Sequence, residues 1–359
     1  AASDVYKRQI MNKLIYILMG IAVAILFSSC GQEELDHSKS IFDTSSEVKS
    51  EFDKWLNNNY VETYNIDYKY RLEDIESDFS KNLTPADLLQ SMRLAKIIKH
   101  VWLESYVEVA GIDFMRKHAP AILHIVGSAA WNGDGTITLG TAEGGLKITL
   151  YMTNWLNPKD IANMNKWFFK TMHHEFTHIL QQDINYPQEY NLISAEDYRP
   201  SGWHNRHELA DYASLGFITD YAGSMPVEDI TEVTCCYVTF TDEEWNAVFE
   251  AAGEQGRAKL NQKVGIMKQY MLEVWKIDMD RLKAVVRRRM NEVIQMELLE
   301  PEWLPVSANS RATTKAAFQL LEEQLRGQWA HALEEMDQHP DRCHIHNANL
   351  INILQHDNK

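Results

Sequence analysis

The apolar residues of the chain recur with two different periods, and the period changes along the sequence. From Glu51 to Gly111 most of them follow helical spacing, and the stretch TPADLLQSMRLAK predicts a helix with Thr84 as N-cap and Pro85 as its first residue. Residues 121–152 instead combine β-branched runs with Asn-Gly, Asp-Gly and Gly-Gly turns. That pattern predicts a short, turn-rich sheet.

After the sheet the helical pattern returns. The tetrapeptide NPKD at 157 predicts a helix start, residues 183–208 predict a long loop that could border a cleft, and further helices are predicted at 208–223, after 226 and over 243–299. The first of these helices has a predicted buried stripe formed by Ile161, Met164, Phe168, Met172, Phe176 and Ile179. Together the elements predict an α+β fold that is mostly helical, with a small mixed sheet beside this helix.

The overall charge narrows the range of partners. The chain has 359 residues and carries 35 Lys and Arg against 51 Asp and Glu, which gives a formal net charge of −16. Nucleic-acid proteins carry basic surfaces that neutralise phosphates. We therefore expect no nucleic-acid partner.

The N-terminal residues have the pattern of an exported lipoprotein. A short basic segment, an apolar run and small residues occupy 11–29, which is typical of a signal peptide and too short for a membrane span. FSSC at its end resembles a lipobox, so we expect cleavage before Cys30 and lipidation of its thiol. An uncleaved anchor is the alternative. The acidic residues that follow resemble an export signal to the outer face of the outer membrane, and a solvated linker would look the same.

The remaining composition suggests how the chain divides. Residues 1–10 resemble translated adapter sequence, an artefact that we leave out of the fold prediction. Residues 11–29 form the predicted signal peptide and 30–50 a flexible polar tether. The predicted folded domain covers 51–299, and 300–359 form a C-terminal helical extension without an assigned role.

One helix carries candidate metal chemistry in the stretch HHEFTH. His174, Glu175 and His178 form an H-E-x-x-H motif, and four residues span just over one helical turn, so both imidazoles can bind one ion at about 2 Å. Glu175 lies beside the first ligand, where it can act as general base on a zinc-bound water. The motif predicts one Zn²⁺ ion and attack of that water on an amide carbonyl.

The third ligand separates the classes of zinc hydrolase. A metzincin has glycine and histidine at the positions of Gln181 and Ile184, so that class is excluded. Glutamate-type zincins take a carboxylate from a later helix, and VEDITE supplies Glu228, with Glu232 one turn beyond to hydrogen-bond a ligand histidine. A capped, solvated first turn is the alternative for these acids. Rival third ligands are His204, His207, Glu208 and Asp211.

Four stretches together resemble the substrate import-associated zinc metallohydrolase lipoproteins, a family also described as zinc-binding metallopeptidases. They are the lipobox, GTITLGTAEGGLKITLY, HHEFTHILQQ and GFITDYAGSMPVEDITE, and the resemblance covers roughly Glu51 to Leu299. It implies a zincin-like fold, zinc held by His174, His178 and Glu228, and Glu175 as general base.

The resemblance also implies a location and partners. Members of that family are usually encoded beside a TonB-dependent importer and its nutrient-binding lipoprotein, which implies nutrient acquisition at the outer membrane, on the cell-surface or the periplasmic face. A peptide or glycopeptide is the expected substrate. Tyr221 lies seven residues before Glu228, where related glutamate zincins place a transition-state tyrosine. A half-buried aromatic side chain between helices is the alternative for Tyr221.

A competing hypothesis belongs to another functional class. The protein could be a nutrient-binding or importer-accessory lipoprotein whose zinc site is structural or vestigial, although a structural site has no need of Glu175. The chain has 10 tryptophans. Most are predicted to be core, but those near the predicted cleft could form a carbohydrate-binding platform: Trp131, Trp155, Trp167 and Trp203.

The cysteines add little chemistry. There are 4, and with Cys30 assigned to lipid the odd remainder predicts no disulfide framework. The adjacent Cys235 and Cys236 are predicted to be core residues. The CHIH stretch at 343–346 has no second cluster to complete a metal site.

Overall fold

The computed structural model describes residues 49–303, except 79, 134–136 and 207. The signal peptide, Cys30 and the CHIH stretch therefore lie outside the described residues. From Ser50 onward the described chain belongs to one compact unit. It is mostly helical with a small mixed sheet, which confirms the predicted fold class. No helix between residues 49 and 303 combines the length and the apolar character needed to cross a membrane.

Twelve α-helices lie in the described part of the chain, and three pairs of them are joined end to end by a single π-helical turn at Asn57–Val61, Lys99–Leu103 and Asn165–Phe169. In chain order the helices are α1 Glu51–Leu56, α2 Glu62–Tyr64, α3 Leu88–Ile98, α4 Glu104–Ala110, α5 Ile112–His118, α6 Ile161–Met164, α7 Lys170–Asp183, α8 Leu209–Ala213, α9 Pro226–Thr239, α10 Asp242–Ala251, α11 Gly253–Trp275 and α12 Met279–Glu292.

The main sheet has four strands in the order β1-β2-β6-β5. Strands β1, β2 and β6 run parallel, whereas β5 is antiparallel to β6 and forms one edge. A second, two-stranded ribbon pairs β3 with β4. The strands are β1 Asp67–Lys69, β2 Ile122–Ile125, β3 Ala130–Trp131, β4 Ile137–Thr138, β5 Gly140–Glu143 and β6 Lys147–Leu150.

The predicted turn-rich sheet over 121–152 is confirmed, but β1 was not predicted. Its three residues lie in the segment predicted to be helical, and they pair in register with β2 from 55 positions away, Asp67 opposite Ile122. A strand this short leaves too few residues for a period of two to be visible in the sequence.

Three predicted helix boundaries are wrong. The helix predicted from Thr84 begins at Leu88, because the Asp87 side chain accepts hydrogen bonds from the first free backbone amides. The helix predicted from 157 begins at Ile161 for the same reason, with Asp160 as N-cap. The helix predicted over 208–223 ends at Ala213, where the chain turns through Gly216 with a φ of 85°.

The long central helix α7 is enclosed by its neighbours. Phe176 from the predicted apolar stripe is fully buried, and the rings of Trp102 and Tyr106 on the α3–α4 segment meet it edge-on at 5.3 and 5.0 Å. On another side α7 packs against α9, which contributes the buried Cys235 and Cys236 and so confirms their assignment to the core. The polar flank of α7 therefore faces other protein elements rather than bulk water.

Candidate metal centre

Three candidate ligand atoms meet where α7 packs against α9. His174 and His178 lie one turn apart on α7, and their Nε2 atoms are 3.1 Å apart. Glu228 lies in the first turn of α9, and its Oε2 is 3.2 Å from each of those nitrogens. The structure thus brings together the two histidines of the motif and the predicted third ligand.

This triangle has the size that a zinc ion requires. Ligand atoms bonded at about 2.0–2.1 Å in a tetrahedral site are about 3.3 Å apart. The sides of 3.1 and 3.2 Å therefore fit one ion above the triangle, with the fourth position left open. The side chains of His174, His178 and Glu228 are 11%, 18% and 14% exposed, so the centre is largely shielded and still reachable.

The carboxylate of the centre is charged at neutral pH. Burial acts to raise the pKa of Glu228, but its hydrogen bonds with His174 and His178 outweigh burial and lower that pKa to about 2. Two imidazole nitrogens and one carboxylate oxygen form a typical donor set for zinc.

A second acid on α9 orients the first histidine. Oε1 of Glu232 lies 2.8 Å from Nδ1 of His174, and its side chain is 2% exposed. Burial acts to raise the pKa of Glu232, but the charge of Lys170 and the hydrogen bond with His174 lower it overall. An ionised Glu232 can only accept, so Nδ1 of His174 carries a proton, and Nε2 is the ring nitrogen that can bind a metal.

Two residues that sequence reasoning missed hold Glu232 in place. Its Oε2 lies 2.7 Å from Nζ of Lys170 and accepts a hydrogen bond of 2.6 Å from the hydroxyl of Thr219. Lys170 lies one turn before His174 on α7. This i, i+4 spacing is the sequence feature that could have indicated that Lys170 lies on the same flank of the helix as His174. A lysine at a helix start ordinarily indicates a solvated side chain, so the sequence alone did not distinguish the two roles.

Glu175 lies against the edge strand of the sheet. Its side chain is buried, and burial raises its pKa despite the opposing charges of His174 and His178. A Cβ placed on Gly140 of β5 would lie 3.3 Å from Cγ of Glu175 and 2.5 Å from Thr171. The backbone of β5 therefore approaches α7 as closely as only glycine permits, directly beside Glu175.

Tyr221 lies on another side of the centre. It begins a short 3₁₀ turn before α9, and its ring centroid is 6.0 Å from that of His174 and 4.9 Å from that of Trp203. Burial, followed by the charges of nearby carboxylates including Glu228, raises the pKa of Tyr221 well above its usual value. The phenol consequently stays protonated and is a hydrogen-bond donor at neutral pH.

The rival third ligands do not join this cluster. Among the described residues, some groups have three or more possible ligand atoms within 4.8 Å of one another. None of these groups contains His204, Glu208 or Asp211. His207 lies outside the described residues. A second group consists of His174, Glu232 and Cys235, but it uses the Nδ1 side of His174. Since Lys170 already neutralises Glu232, this second group is better explained by hydrogen bonding than by a metal.

The tryptophans named above do not share one environment. Trp203 packs beside Tyr221 near the centre, whereas Trp167 is buried at 5% exposure and Trp131 is 45% exposed.

The geometry defines a candidate metal centre, and the comparison with known proteins points to the same chemistry. Residues 45–280 match the family described as "Putative zinc-binding metallo-peptidase". A crystal structure of "a putative zinc-binding metallo-peptidase" from Bacteroides caccae ATCC 43185 is 54% identical, with a TM-score of 0.63 over 72% of this chain and 98% of that chain. Curated proteins give no significant match. The chain belongs to the family with that description, which confirms the family that its motifs resemble.

Lys170→Met should weaken both the fold and the centre, because it leaves the buried Glu232 carboxylate without its cation. We expect the free energy of unfolding of the metal-free protein to fall by about 3 kcal/mol in urea denaturation. Zinc affinity should fall about 10-fold in a competition titration as His174 loses its fixed orientation. The control is Lys166→Met, whose ammonium lies 4.6 Å from the Trp167 ring and which should cost under about 1 kcal/mol. Equal losses in the two variants would contradict the role of Lys170.

Proposed function

We propose that this protein is a zinc-dependent peptidase in which His174, His178 and Glu228 hold one zinc ion and Glu175 is the general base. The observation that carries the proposal is the triangle of ligand atoms, with sides of 3.1 and 3.2 Å, next to an uncoordinated buried glutamate. A purely structural zinc site is closed by four protein ligands. Three ligands and an adjacent base instead support catalysis.

The protein groups around the centre can perform both proton transfers of amide hydrolysis. A zinc ion bound there would supply Lewis acidity for a carbonyl oxygen and lower the pKa of water. The Glu175 carboxylate accepts a proton from the attacking water and later donates it to the leaving amine. Because burial raises the pKa of Glu175, its carboxylate is a stronger base toward that water than an exposed glutamate. Glu232 meanwhile keeps His174 in one tautomer.

Tyr221 is the proposed donor to the oxyanion. Its ring packs beside that of His174, and its raised pKa keeps the hydroxyl protonated. A fixed donor aimed at developing negative charge stabilises the transition state more than the ground state.

The edge strand β5 favours an extended peptide as substrate. β5 is one of the two edge strands of the main sheet, and Gly140 brings its backbone against Glu175. A sheet edge can pair with an extended peptide through main-chain hydrogen bonds, which would lay a scissile amide beside the general base. A glycopeptide backbone satisfies the same requirement.

We further propose that the domain is tethered by lipid on Cys30 at the outer membrane, on its surface or periplasmic face. Its proposed partners there are a TonB-dependent importer and the nutrient-binding lipoprotein of that importer. The lipobox FSSC and the stretches shared with import-associated lipoproteins support this part of the proposal.

Glu175→Gln should separate metal binding from hydrolysis, because the amide keeps the shape of the side chain but cannot take a proton. We expect zinc content equal to that of the wild type and cleavage of a peptide library, followed by mass spectrometry, reduced by at least ~100-fold. Asp183→Asn is the matched control, since Asp183 ends the same helix with its side chain 54% exposed. A wild-type rate in Glu175→Gln would exclude the general base. A zinc-loaded wild type that cleaves no peptide would favour the accessory lipoprotein.

Tyr221→Phe should slow turnover without loss of zinc. Removing one oxyanion donor costs about 3 kcal/mol, so kcat should fall ~100-fold. Steady-state kinetics on a peptide from the library, with metal analysis of the same sample, measure both quantities. Tyr186→Phe removes a hydroxyl that bonds to Asn191 instead and should leave kcat unchanged. Unchanged kcat in Tyr221→Phe would remove this residue from the mechanism.

A further inference from the structure

The residue that follows the proposed third ligand belongs to a fully buried ion pair. Asp229 follows Glu228 in the first turn of α9, and its Oδ2 is 2.6 Å from Nζ of Lys263 on α11. Both side chains are 0% exposed. The sequence pattern allowed this acid to be a solvated helix-start residue, and the structure contradicts that alternative for Asp229.

The pair joins α9 and α11 to two further segments of the chain. Lys263 also donates a hydrogen bond of 2.6 Å to the carbonyl of Gly216, and its ammonium lies 4.2 Å from the ring centroid of Phe217. The hydroxyl of Tyr198, from the long loop, donates to Oδ2 of Asp229 at 2.8 Å. Four separate segments therefore converge on one carboxylate and one ammonium.

Stability alone does not explain such a pair. Removing two charges from water costs several kcal/mol each, and replacing a buried ion pair by apolar side chains is often neutral or stabilising. The ion pair instead fixes geometry. The Asp229 carboxylate accepts from both Lys263 and Tyr198, and these two bonds fix its orientation.

The first turn of α9 has no side-chain cap. Its N-cap residue, Met225, makes no side-chain capping bond, and Pro226 at the first helical position restricts φ but donates no hydrogen bond. Adjacent side chains on a helix project about 100° apart. Fixing Asp229 therefore sets the rotation of this turn and the direction in which Glu228 projects.

We propose that the Lys263–Asp229 pair positions the metal centre, by holding the first turn of α9 so that Glu228 completes the triangle with His174 and His178. Lys263 and Asp229 are thus positioning residues that act through Glu228. The consequence for zinc rests on the proposed function, whereas the consequence for the order of the α9 turn holds without metal.

The test removes both charges at once in Asp229→Asn/Lys263→Met, which keeps the shapes and leaves no unpaired buried ion. In the metal-free protein, the backbone amides of residues 229–231, the first that donate within α9, should exchange hydrogen at least ~10-fold faster than in the wild type. The zinc dissociation constant should rise at least ~10-fold. The visible spectrum of the cobalt-substituted variant should change, because the carboxylate no longer occupies one fixed position.

A control removes a more exposed pair on the same helix. Lys268 of α11 pairs with Asp280 of α12, and both contact α9 at Tyr237, near the end of that helix away from Glu228. Lys268→Met/Asp280→Asn should therefore leave amide exchange in the first turn of α9, zinc affinity and cobalt spectrum as in the wild type. Tyr198→Phe is a milder variant that removes one donor to Asp229, and it should change all three readouts in the same direction. If the double variant does not fold, the same three measurements on Tyr198→Phe test the proposal.

Wild-type amide exchange and zinc affinity in a folded Asp229→Asn/Lys263→Met variant would overturn the proposal. Equal changes in the Lys268→Met/Asp280→Asn control would also overturn it, because the effect would then reflect general loosening. If the wild type itself binds no zinc, the proposed function fails. Hydrogen exchange still tests whether the Lys263–Asp229 pair orders the first turn of α9, because that measurement needs no metal.

Discussion

The convergence of two imidazole nitrogens and one carboxylate oxygen within 3.2 Å of one another is the constraint on which this structure depends. Three electron-rich atoms do not gather in a shielded space without a cation or a proton between them, because their lone pairs repel. The packing of α7 against α9 imposes that convergence on His174, His178 and Glu228. The edge strand β5 packs against Glu175 of α7 on one side of the centre, and the turn before α9 places Tyr221 on another.

Helix α9 illustrates how charge is distributed around the centre. The stretch VEDITE presents three acids, and each is matched to a different positive partner: Glu228 to the proposed metal, Asp229 to Lys263 and Glu232 to Lys170. The acids of the two lysine pairs are buried, and both follow Glu228 within about one turn of α9. A rigid pattern of matched charges around a metal ligand is what pre-organised catalytic sites require.

Sequence reasoning identified the parts of this arrangement that have a local signature. The spacing of His174 and His178 on one helix and the pairing of Glu228 with Glu232 on another follow from helical periodicity, and the structure brings these residues together. Lys263 had no such signal, since its partner lies 34 positions away on another helix. The short strand β1 and the displaced helix starts were missed because side-chain caps and long-range pairing outweighed local propensity.

The most direct test of the central claim is zinc X-ray absorption on the purified protein, compared with Glu228→Ala. The account predicts one zinc per chain in the wild type, with nitrogen and oxygen neighbours at about 2.0–2.1 Å and no sulfur, and a loss of zinc occupancy in the variant. A sulfur neighbour at about 2.3 Å would place the ion instead at Cys235 and Glu232. That result, or full zinc occupancy in Glu228→Ala, would contradict the account.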